Sequence, residues 1–450
     1  MLDLRIEKLV YGGDGLARLE GRTVLLPLVL PGERVSAEPV KEEPRLIHAR
    51  LVEVREASAS RVAPGCPYFA RCGGCHYQHA GYDDQLRYKA AILKETLARI
   101  GKLEAPEPEL IASPPWNYRN RAQFKTRKRH GRFELGYFGW GSHRLLPIEQ
   151  CPISSPRVNQ VIPLLNEIGK RPDFPDGEGE IEVFAGEGCA DAEAATVSDE
   201  PRVLLTVTAD RPWPETLLSA LRERIVDLAS LAVLDRAGAT GRVFGRGNLL
   251  YRAGGFTYRV SHRSFFQTNR FLAETMAAGV IAGLKGKVAL DLFCGVGYFA
   301  VPLARAFERV IAVESNPVAV RDLESNRQRA RAENIAPVEQ AAEQFLASWQ
   351  AERRPAPGLV LLDPPRSGLG HGAAEKLAAI GAPRIVYVSC DPSTLARDLV
   401  PLLAAGYRFE RLTLIDLFPQ TYHIESIAVL TAEPRQKPRD SGGGSFFSAP

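Results

Sequence analysis

The sequence predicts a three-part α/β protein with a small N-terminal β-barrel, a central β-rich domain and a C-terminal domain built on a doubly wound sheet. Three observations support this prediction. Short alternating apolar runs separated by turn residues fill residues 1–56, and further strand-like runs occupy residues 116–260. From about residue 270, apolar strands alternate with helical stretches, which is the pattern of a parallel sheet with helices on both faces.

The composition limits the class of protein. The chain has 450 residues, of which 45% are hydrophobic and 24% charged. This length corresponds to about three domains, each able to bury a core. The seven cysteines are too few for a disulfide scaffold. The first residues, MLDLRIEKLV, carry two acids and no long apolar region, so we expect no signal peptide. No apolar run is long enough to span a bilayer, and we therefore expect a cytoplasmic protein without a membrane segment.

Residues 1–56 are the predicted barrel. The runs LRIEKLV, TVLLPLVL and RLIHARLVEV have alternating patterns, and Gly12-Gly13 and Pro31-Gly32 mark turns between them. Several short strands at a spacing of roughly 8–12 residues are typical of small closed barrels, many of which bind oligonucleotides. The pattern supports the fold more strongly than the binding.

The central domain is predicted over residues 57–265 and begins with an irregular segment that contains cysteines. A helix is expected from about Asp83 to Ile100, and the proline-rich residues 101–115 indicate a linker. The segments ELGYFGW, EIEVFAG and RVLLTVTA are predicted strands.

The small net charge of +4 hides an uneven distribution. Residues 111–132 contain seven bases and no acid, and residues 236–273 contain seven arginines and no acid, with aromatic residues interleaved in both runs. By contrast, residues 172–201 contain ten acids and no base. Bases neutralise phosphates and aromatic rings stack on unpaired nucleobases, so the two basic runs predict a surface for single-stranded RNA. The alternative is a pair of solvated hairpin faces.

Four cysteines have a spacing typical of ligands. Cys66, Cys72 and Cys75 form C-x5-C-x2-C, and Cys151 follows directly before Pro152. Four thiolates can close a tetrahedral zinc site or hold an iron–sulfur cluster. Three close cysteines with a distant Cys-Pro are more typical of ferredoxin-type ligation, but the spacing alone decides neither. The remaining alternative is four unligated cysteines.

The run VALDLFCGVGYFA predicts a strand, a glycine-rich turn and the start of a helix. Gly295 and Gly297 allow a ligand to approach the backbone. Glu314 ends the next strand, where a carboxylate can accept hydrogen bonds from both ribose hydroxyls of an adenosine cofactor. The turn lacks the full G-x-G-x-x-G, which disfavours a dinucleotide.

Later strands end in more specific motifs. One ends in DPPR at Asp363, the next in SCDP at Cys390, and Glu425 begins a final apolar run. Ligands bind outside the carboxyl ends of parallel strands, so these side chains are expected in one crevice. A thiolate adding to carbon 6 of uracil makes carbon 5 nucleophilic, and a base must remove the carbon-5 proton after methyl transfer. One cysteine, one carboxylate and a cofactor pocket fit this chemistry.

These motifs resemble those of the bacterial 5-methyluridine RNA methyltransferases, and the resemblance covers nearly the whole chain. It implies a TRAM (OB-like) barrel over 1–56, a Rossmann-like class I methyltransferase domain over 266–436 and a disordered tail over 437–450. It also implies that S-adenosylmethionine contacts residues of SHRSFFQTN, DLFCGVGYF and two strand ends: Gln267, Phe293, Tyr298, Glu314 and Asp363. Tyr298 stands where the family usually has a small or amide side chain.

The resemblance also assigns the reacting groups. YVSCDPSTLARDL matches the nucleophile motif at Cys390, with Asp391 where Asn is common, and HIES matches the general-base motif at Glu425. Family members that act on 23S ribosomal RNA carry four cysteines, which implies a 4Fe-4S cluster on the matching residues of this chain: Cys66, Cys72, Cys75 and Cys151.

The function implied is methylation at carbon 5 of a single-stranded or loop uridine in 23S ribosomal RNA, with no obligate protein partner. One alternative is the T-loop uridine of transfer RNA; the cysteines and barrel favour ribosomal RNA because the common bacterial transfer RNA enzyme lacks both. Another is a non-catalytic RNA-binding or chaperone protein, which is expected to have lost Cys390 or Glu425. The cluster itself can be structural or redox-active.

Overall fold

The computed structural model describes residues 1–186, 202–209, 211, 213–235, 238 and 240–432. Cys189, the end of the acidic stretch, Arg236 and the predicted tail therefore lie outside the described residues. Within these ranges, no helix combines the length and apolarity needed to cross a bilayer.

The N-terminal barrel is confirmed as a six-stranded sheet that closes on itself. Its strands are β1 Leu2–Arg5, β2 Lys8–Leu9, β3 Gly15–Leu19, β4 Arg22–Leu26, β5 Arg34–Glu42 and β6 Leu46–Glu56. β1 pairs with β5 at one edge, and β2, two residues later, pairs with β3 at the other. The first stretch of chain thus joins both edges. Apolar side chains such as Val24, Leu26 and Val35 fill the interior.

The barrel is followed by a connecting segment and the central sheet. The connecting elements are helix α1 Tyr82–Thr96, a π-helical turn Leu97–Gly101 and strand β7 Glu109–Ile111. The central elements are β8 Arg121–Arg129, β9 Arg132–Phe138, β10 Leu145–Pro147, α2 Pro156–Gly169, β11 Gly177–Ala185, β12 Val203–Ala209, α3 Glu215–Arg224, β13 Leu228–Leu234 and β14 Thr240–Gly245. The strands form one sheet in the order β10-β9-β8-β11-β12-β13-β14.

Bases of the first basic run pair with acids of the acidic stretch in this sheet, because β8 and β11 are antiparallel neighbours. Three bases of β8 form ion pairs with three acids of β11: Arg121 with Glu182, Lys125 with Glu180, and Arg129 with Glu178. Arg127 pairs instead with Glu134 of β9 at 2.6 Å. These ion pairs offset part of the positive charge of the run, and its contact with RNA stays a prediction.

Five of the ten interleaved aromatic residues belong to the core. The following side chains are at most 1% exposed: Tyr118, Phe124, Tyr251, Tyr258 and Phe266. A ring buried to this degree cannot stack on a nucleobase, so the proposed stacking role is wrong for these residues. Phe265, which is 62% exposed, is an exception.

The C-terminal part contains an eight-stranded sheet with helices on both faces. Its elements are the hairpin β15 Asn248–Ala253 and β16 Phe256–Ser261, followed by α4 Ala273–Ile281, β17 Gly286–Leu292, α5 Ala300–Leu303, β18 Phe307–Glu314, α6 Pro317–Arg329, β19 Ile335–Glu339, α7 Ala342–Ala351, β20 Leu359–Leu362, α8 Ala373–Ile380, β21 Arg384–Ser389, α9 Pro392–Ala404, β22 Tyr407–Ile415 and β23 Glu425–Ala432. The strand order is β19-β18-β17-β20-β21-β23-β22-β7, and β23 is antiparallel to both of its neighbours. The predicted doubly wound sheet, including a last strand that starts at Glu425, is confirmed.

Two expected boundaries differ in the structure. Part of the predicted linker is β7, which pairs in parallel with β22 and becomes an edge strand of the C-terminal sheet. The hairpin β15–β16 was assigned to the central domain, but its buried Tyr251 and Tyr258 share a core with the C-terminal sheet. Short polar or proline-containing strands give a weak periodic signal, and only their pairing partner defines the unit to which they belong.

A fully buried ion pair fastens α1 to the C-terminal sheet. Lys89 Nζ lies 2.7 Å from Asp416 Oδ1, and both side chains are 0% exposed. Lys89 also donates to the Phe418 carbonyl at 2.9 Å. Asp416 directly follows β22, so this pair joins the N-terminal half of the chain to the loop that leads to Glu425.

We predict that Lys89→Ala lowers the free energy of unfolding by about 3–5 kcal/mol, because it leaves the buried Asp416 carboxylate without its partner. Lys8→Ala is the matched control, since it removes the exposed Lys8–Glu95 pair and should cost less than about 1 kcal/mol. Urea denaturation of both variants measures the difference. Equal costs would contradict a structural role for the buried pair.

Candidate active site and cysteine cavity

The glycine-rich turn after β17 forms the floor of a crevice at the carboxyl ends of the parallel strands. Leu292, at the end of β17, pairs with Val313 of β18 and with Leu362 of β20, so these three strands end level with one another. Gly297 has φ 89°, and a Cβ there would lie 2.6 Å from Leu323 Cδ1. The turn therefore needs glycine at this position in order to pack on α6.

Glu314 lies across this turn, at the end of β18. Its Oε2 accepts the Gly295 N–H at 3.0 Å, and its Oε1 accepts the Asn316 N–H at 2.7 Å. The Ser315 hydroxyl also donates to Oε1 at 3.4 Å, whereas Oε2 keeps a second lone pair for another donor. The placement is therefore suited to the ribose hydroxyls expected from the sequence.

Two of the other predicted cofactor residues lie in this turn or at the end of the neighbouring strand. Phe293 begins the turn with φ 61°, Asp363 follows β20, and Gln267 is 6% exposed. Tyr298 points elsewhere: its hydroxyl donates to the Ala273 carbonyl, and its ring packs against Phe266. The structure gives the Tyr298 side chain a packing role, and its cofactor contact remains a prediction.

Cys390 and Glu425 meet at this edge of the sheet. Ser389, the last residue of β21, pairs with Ser426 of the antiparallel strand β23. Cys390 follows Ser389 and Glu425 precedes Ser426, so the two side chains lie at the same end of adjacent strands. Glu425 is 5% exposed, whereas Cys390 is half-buried. The sequence-predicted nucleophile and base are thus neighbours.

Burial and like charges raise the pKa values of these groups. Burial raises the pKa of Cys390 to about 12, and the charges of Glu425 and Asp363 act in the same direction. The pKa of Glu425 is raised well above its usual value by burial and then by Asp363, while Arg366 opposes the shift. Burial also raises the pKa of Asp363. The Cys390 thiol and the Glu425 carboxyl group are thus both shifted toward their neutral forms.

The four predicted ligand cysteines line one cavity of about 400 Å³. Backbone hydrogen bonds fix the surrounding loops: the Cys66 N–H donates to Gln78 Oε1 at 3.1 Å, and the Cys151 N–H donates to Asn159 Oδ1 at 2.8 Å. Burial raises the pKa of Cys72 to about 11. Among the described residues, no group of three or more His, Cys, Asp or Glu side chains is placed to hold a single metal ion.

The cavity and the crevice share a wall that motif spacing alone did not predict. Arg366, Tyr422 and His423 line the cysteine cavity, and the Arg366 charge also acts on Cys390 and Glu425. Arg366 Nη2 lies 3.4 Å from His423 Nδ1. The available signals were the arginine of DPPR, the tyrosine directly before HIES and the histidine that begins HIES.

Asp291 is a further residue whose position the sequence did not explain. It is fully buried beneath the crevice, and neither carboxyl oxygen has a well-formed hydrogen bond within the described parts of the chain. Burial raises its pKa well above the usual value, and the Asp363 charge adds to the shift.

Comparison with known proteins identifies the family. Residues 246–433 match the family model described as tRNA (uracil-5-)-methyltransferase. An RNA methyltransferase of Aquifex aeolicus is 36% identical over 435 residues, which covers 95% of this chain and 98% of that protein. A second, from Halalkalibacterium halodurans, is 33% identical over 452 residues and covers 96% of both chains. The chain belongs to the RNA 5-methyluridine methyltransferase family.

This RNA methyltransferase also shares its fold with a solved relative. The crystal structure of Pyrococcus abyssi tRNA (uracil-54, C5)-methyltransferase in complex with S-adenosyl-L-homocysteine matches with a TM-score of 0.72 and 24% identity. The match covers 96% of this chain and 100% of that chain. The predicted fold class and enzyme class are confirmed.

We predict that Asp291 makes the methyltransferase less stable as the pH rises. Above about pH 4 the unfolded-state carboxyl ionises while the buried one keeps its proton, so unfolding becomes easier until the raised pKa is passed. In Asp291→Asn, the loss of unfolding free energy between about pH 5 and about pH 8 should be smaller than in the wild type. Urea denaturation at both pH values measures it.

Glu308→Gln, which changes an exposed carboxylate at the start of β18, is the control. It should leave the pH dependence of the unfolding free energy unchanged. An Asp291→Asn profile that follows the wild type at both pH values would show that this carboxyl is not protonated in the folded state.

Proposed function

We propose that this methyltransferase acts on carbon 5 of a uridine in 23S ribosomal RNA through a covalent bond between Cys390 and carbon 6 of the uracil. The observation that supports this most directly is the placement of Cys390 and Glu425 on adjacent strand ends beside the cofactor turn. Methylation of an unactivated uracil carbon needs a nucleophile and a base on one substrate ring.

Cys390 supplies the nucleophile in this proposal. Burial raises the pKa of its thiol. In the proposed step the thiol loses its proton to solvent, the thiolate sulfur bonds to carbon 6, and the electron pair of the carbon 5–carbon 6 double bond moves toward the uracil carbonyl to form an enolate. Carbon 5 would then take the methyl group of the cofactor, which would leave as the neutral thioether S-adenosylhomocysteine.

Glu425 removes the carbon-5 proton in the last step. Its raised pKa makes its carboxylate a strong base when ionised. As it takes the proton, the carbon 5–carbon 6 double bond re-forms and the bond to Cys390 breaks. Arg366 stabilises the ionised form of Glu425, because it lowers the pKa that burial raises.

When bound, S-adenosylmethionine would supply an electrophilic methyl group. Glu314, whose Oε2 accepts from the glycine turn, would hold its ribose. Phe293 in the same turn, Asp363 at the end of the neighbouring strand and Gln267 are proposed as the other residues that would hold the cofactor.

The four cysteines support a 4Fe-4S cluster as the group in the cysteine cavity. They come from two separate chain segments and line a single cavity, and none of the described side-chain groups is arranged for a single ion. Buried thiols resist ionisation, so a positively charged iron centre would stabilise the thiolates. Zinc is the alternative left by the spacing.

The choice of 23S ribosomal RNA over transfer RNA rests on the barrel and the cysteines. The chain has both an N-terminal six-stranded sheet and four cysteines that line one cavity. The family resemblance associates these two features with ribosomal RNA. Incubating the protein with matched transcripts of 23S ribosomal RNA and transfer RNA, followed by nucleoside analysis for 5-methyluridine, separates the two substrates.

We predict that Cys390→Ala abolishes methyl transfer while RNA binding is retained, because only the covalent step is lost. Glu425→Gln should still form the bond to carbon 6 but should not complete the elimination, so a covalent RNA–protein adduct should accumulate. A denaturing gel with labelled RNA detects the adduct.

Cys294→Ala is the matched control, because this second cysteine of the crevice is buried in the cofactor turn and is assigned no bond to RNA. It should keep measurable methyl transfer. Normal turnover in Cys390→Ala would exclude the covalent route, and product release at the wild-type rate in Glu425→Gln would show that another base operates.

We predict that anaerobically purified protein is brown and contains iron and acid-labile sulfide. Cys72→Ser should lose most of both, since three thiolates hold such a cluster less tightly than four. Elemental and sulfide analysis measures the content. A colourless protein with stoichiometric zinc would overturn the cluster assignment without affecting the catalytic proposal.

A further inference from the structure

A turn of the N-terminal barrel reaches the catalytic crevice. Between β2 and β3 the chain turns through residues 10–14, where the Val10 N–H donates to the Asp14 carbonyl at 2.9 Å. A Cβ at Gly13 would lie 3.1 Å from the His76 Cβ, so this turn is pressed against the cysteine-bearing segment. Leu9 beside it is buried in the same hydrophobic core as the catalytic sheet. The barrel is therefore packed firmly on the catalytic domain at this point.

Tyr11, in this turn, contacts the residue next to the proposed nucleophile. Its hydroxyl donates to Asp391 Oδ2 at 3.1 Å, although the two residues are 380 positions apart in the chain. Asp391 directly follows Cys390. Its other oxygen, Oδ1, accepts the Ser393 N–H at 2.8 Å and the Thr394 N–H at 3.1 Å, which caps the start of α9.

Asp391 is therefore held from two sides. One carboxylate oxygen is fixed to the helix and the other to the barrel, which leaves the carboxylate little rotational freedom. Because Cys390 is covalently attached to Asp391 and lies between β21 and α9, fixing Asp391 also limits the positions that the Cys390 backbone can adopt.

The Tyr11 ring also touches the segment that leads to the proposed base. It meets the Tyr422 ring edge-on, with centroids 5.6 Å apart and an interplanar angle of 86°. Tyr422 precedes Glu425 by three residues and is half-buried. One side chain of the barrel thus contacts both segments from which the reacting groups come.

We propose that Tyr11 is a positioning residue for the methyl-transfer site, acting through Asp391 on Cys390, so that the barrel is a fixed part of the active-site wall. This inference rests on the proposed function of Cys390 as the nucleophile. It assigns the barrel a second role besides any contact with RNA, because the Tyr11 hydroxyl is directed at the protein's own carboxylate.

Tyr11→Phe tests this, because it removes the hydroxyl and keeps the ring against Tyr422. We expect kcat to fall about tenfold, which is about 1.4 kcal/mol, with KM for RNA changed less than about twofold. Tyr407→Phe is the matched control: it removes a hydroxyl that donates to the Ala382 carbonyl at 2.8 Å, at the opposite end of β22. It should leave kcat unchanged. Binding of S-adenosylhomocysteine and the unfolding midpoint should be alike in the two variants.

The path through Asp391 is tested by a double-mutant cycle. The measured rate is adduct formation between Cys390 and RNA that contains 5-fluorouridine, in which fluorine replaces the proton that Glu425 removes and the adduct therefore persists. In the Asp391→Ala background, Tyr11→Phe should slow this rate by less than about twofold. If Tyr11→Phe slows adduct formation by the same factor with and without Asp391→Ala, the proposal is overturned. An unchanged kcat in Tyr11→Phe, or a change confined to its KM, would also overturn it.

The two proposals fail in distinguishable ways. If the wild type forms no adduct with any uridine-containing RNA, the proposed function fails. The same cycle is then run with iodoacetamide alkylation of Cys390, quantified by mass spectrometry of its peptide. If the effect of Tyr11→Phe on the alkylation rate depends on whether Asp391 is present, the positioning role is supported. If the effects of Tyr11→Phe and Asp391→Ala on the activation free energy simply add, the positioning role is overturned.

Discussion

The buried Lys89–Asp416 ion pair is the contact on which the assembly of this methyltransferase depends. Two charges with no exposed surface can be accommodated only if each is held by the other and by hydrogen bonds, and here they join α1 to the end of β22. Further hydrogen bonds support the loop that follows. The Gln85 side-chain amide donates to Gln420 Oε1 at 3.0 Å, and the Tyr77 N–H donates to the main-chain carbonyl of Gln420 at 2.9 Å. The loop before Glu425 is therefore fixed by segments far away in the sequence.

This arrangement explains why the cysteine segment lies beside the catalytic crevice. The same Gln420 carbonyl accepts the His76 N–H at 2.8 Å, and Tyr118 donates to the Pro419 carbonyl at 3.0 Å. A group held by the cysteines would thus stabilise the chain that carries the proposed base. The barrel adds a third support through Tyr11, so that all three parts of the molecule contribute to one wall.

The crevice itself is electrostatically unfavourable in the free protein. Asp291, Asp363 and Glu425 are buried or partly buried near one another, and burial raises the pKa of each. The Arg366 charge lowers the pKa of Glu425 and so offsets part of this increase. A nearby cation would favour the ionised form of these carboxyl groups and so lower their raised pKa values.

The amino-acid sequence determined the strand-ending motifs, the α/β alternation and the barrel, because these depend on local periodicity and on turn residues. It therefore placed Cys390, Glu425, Glu314 and Asp363 at one edge of a sheet. It did not determine which charges pair or which rings are buried, because the acidic strand that pairs with β8 lies 49 to 61 residues away in the chain. The contact of Tyr11 with Asp391 was likewise decided only by the tertiary structure, since long-range side-chain contacts follow from how folded units pack and leave no local pattern.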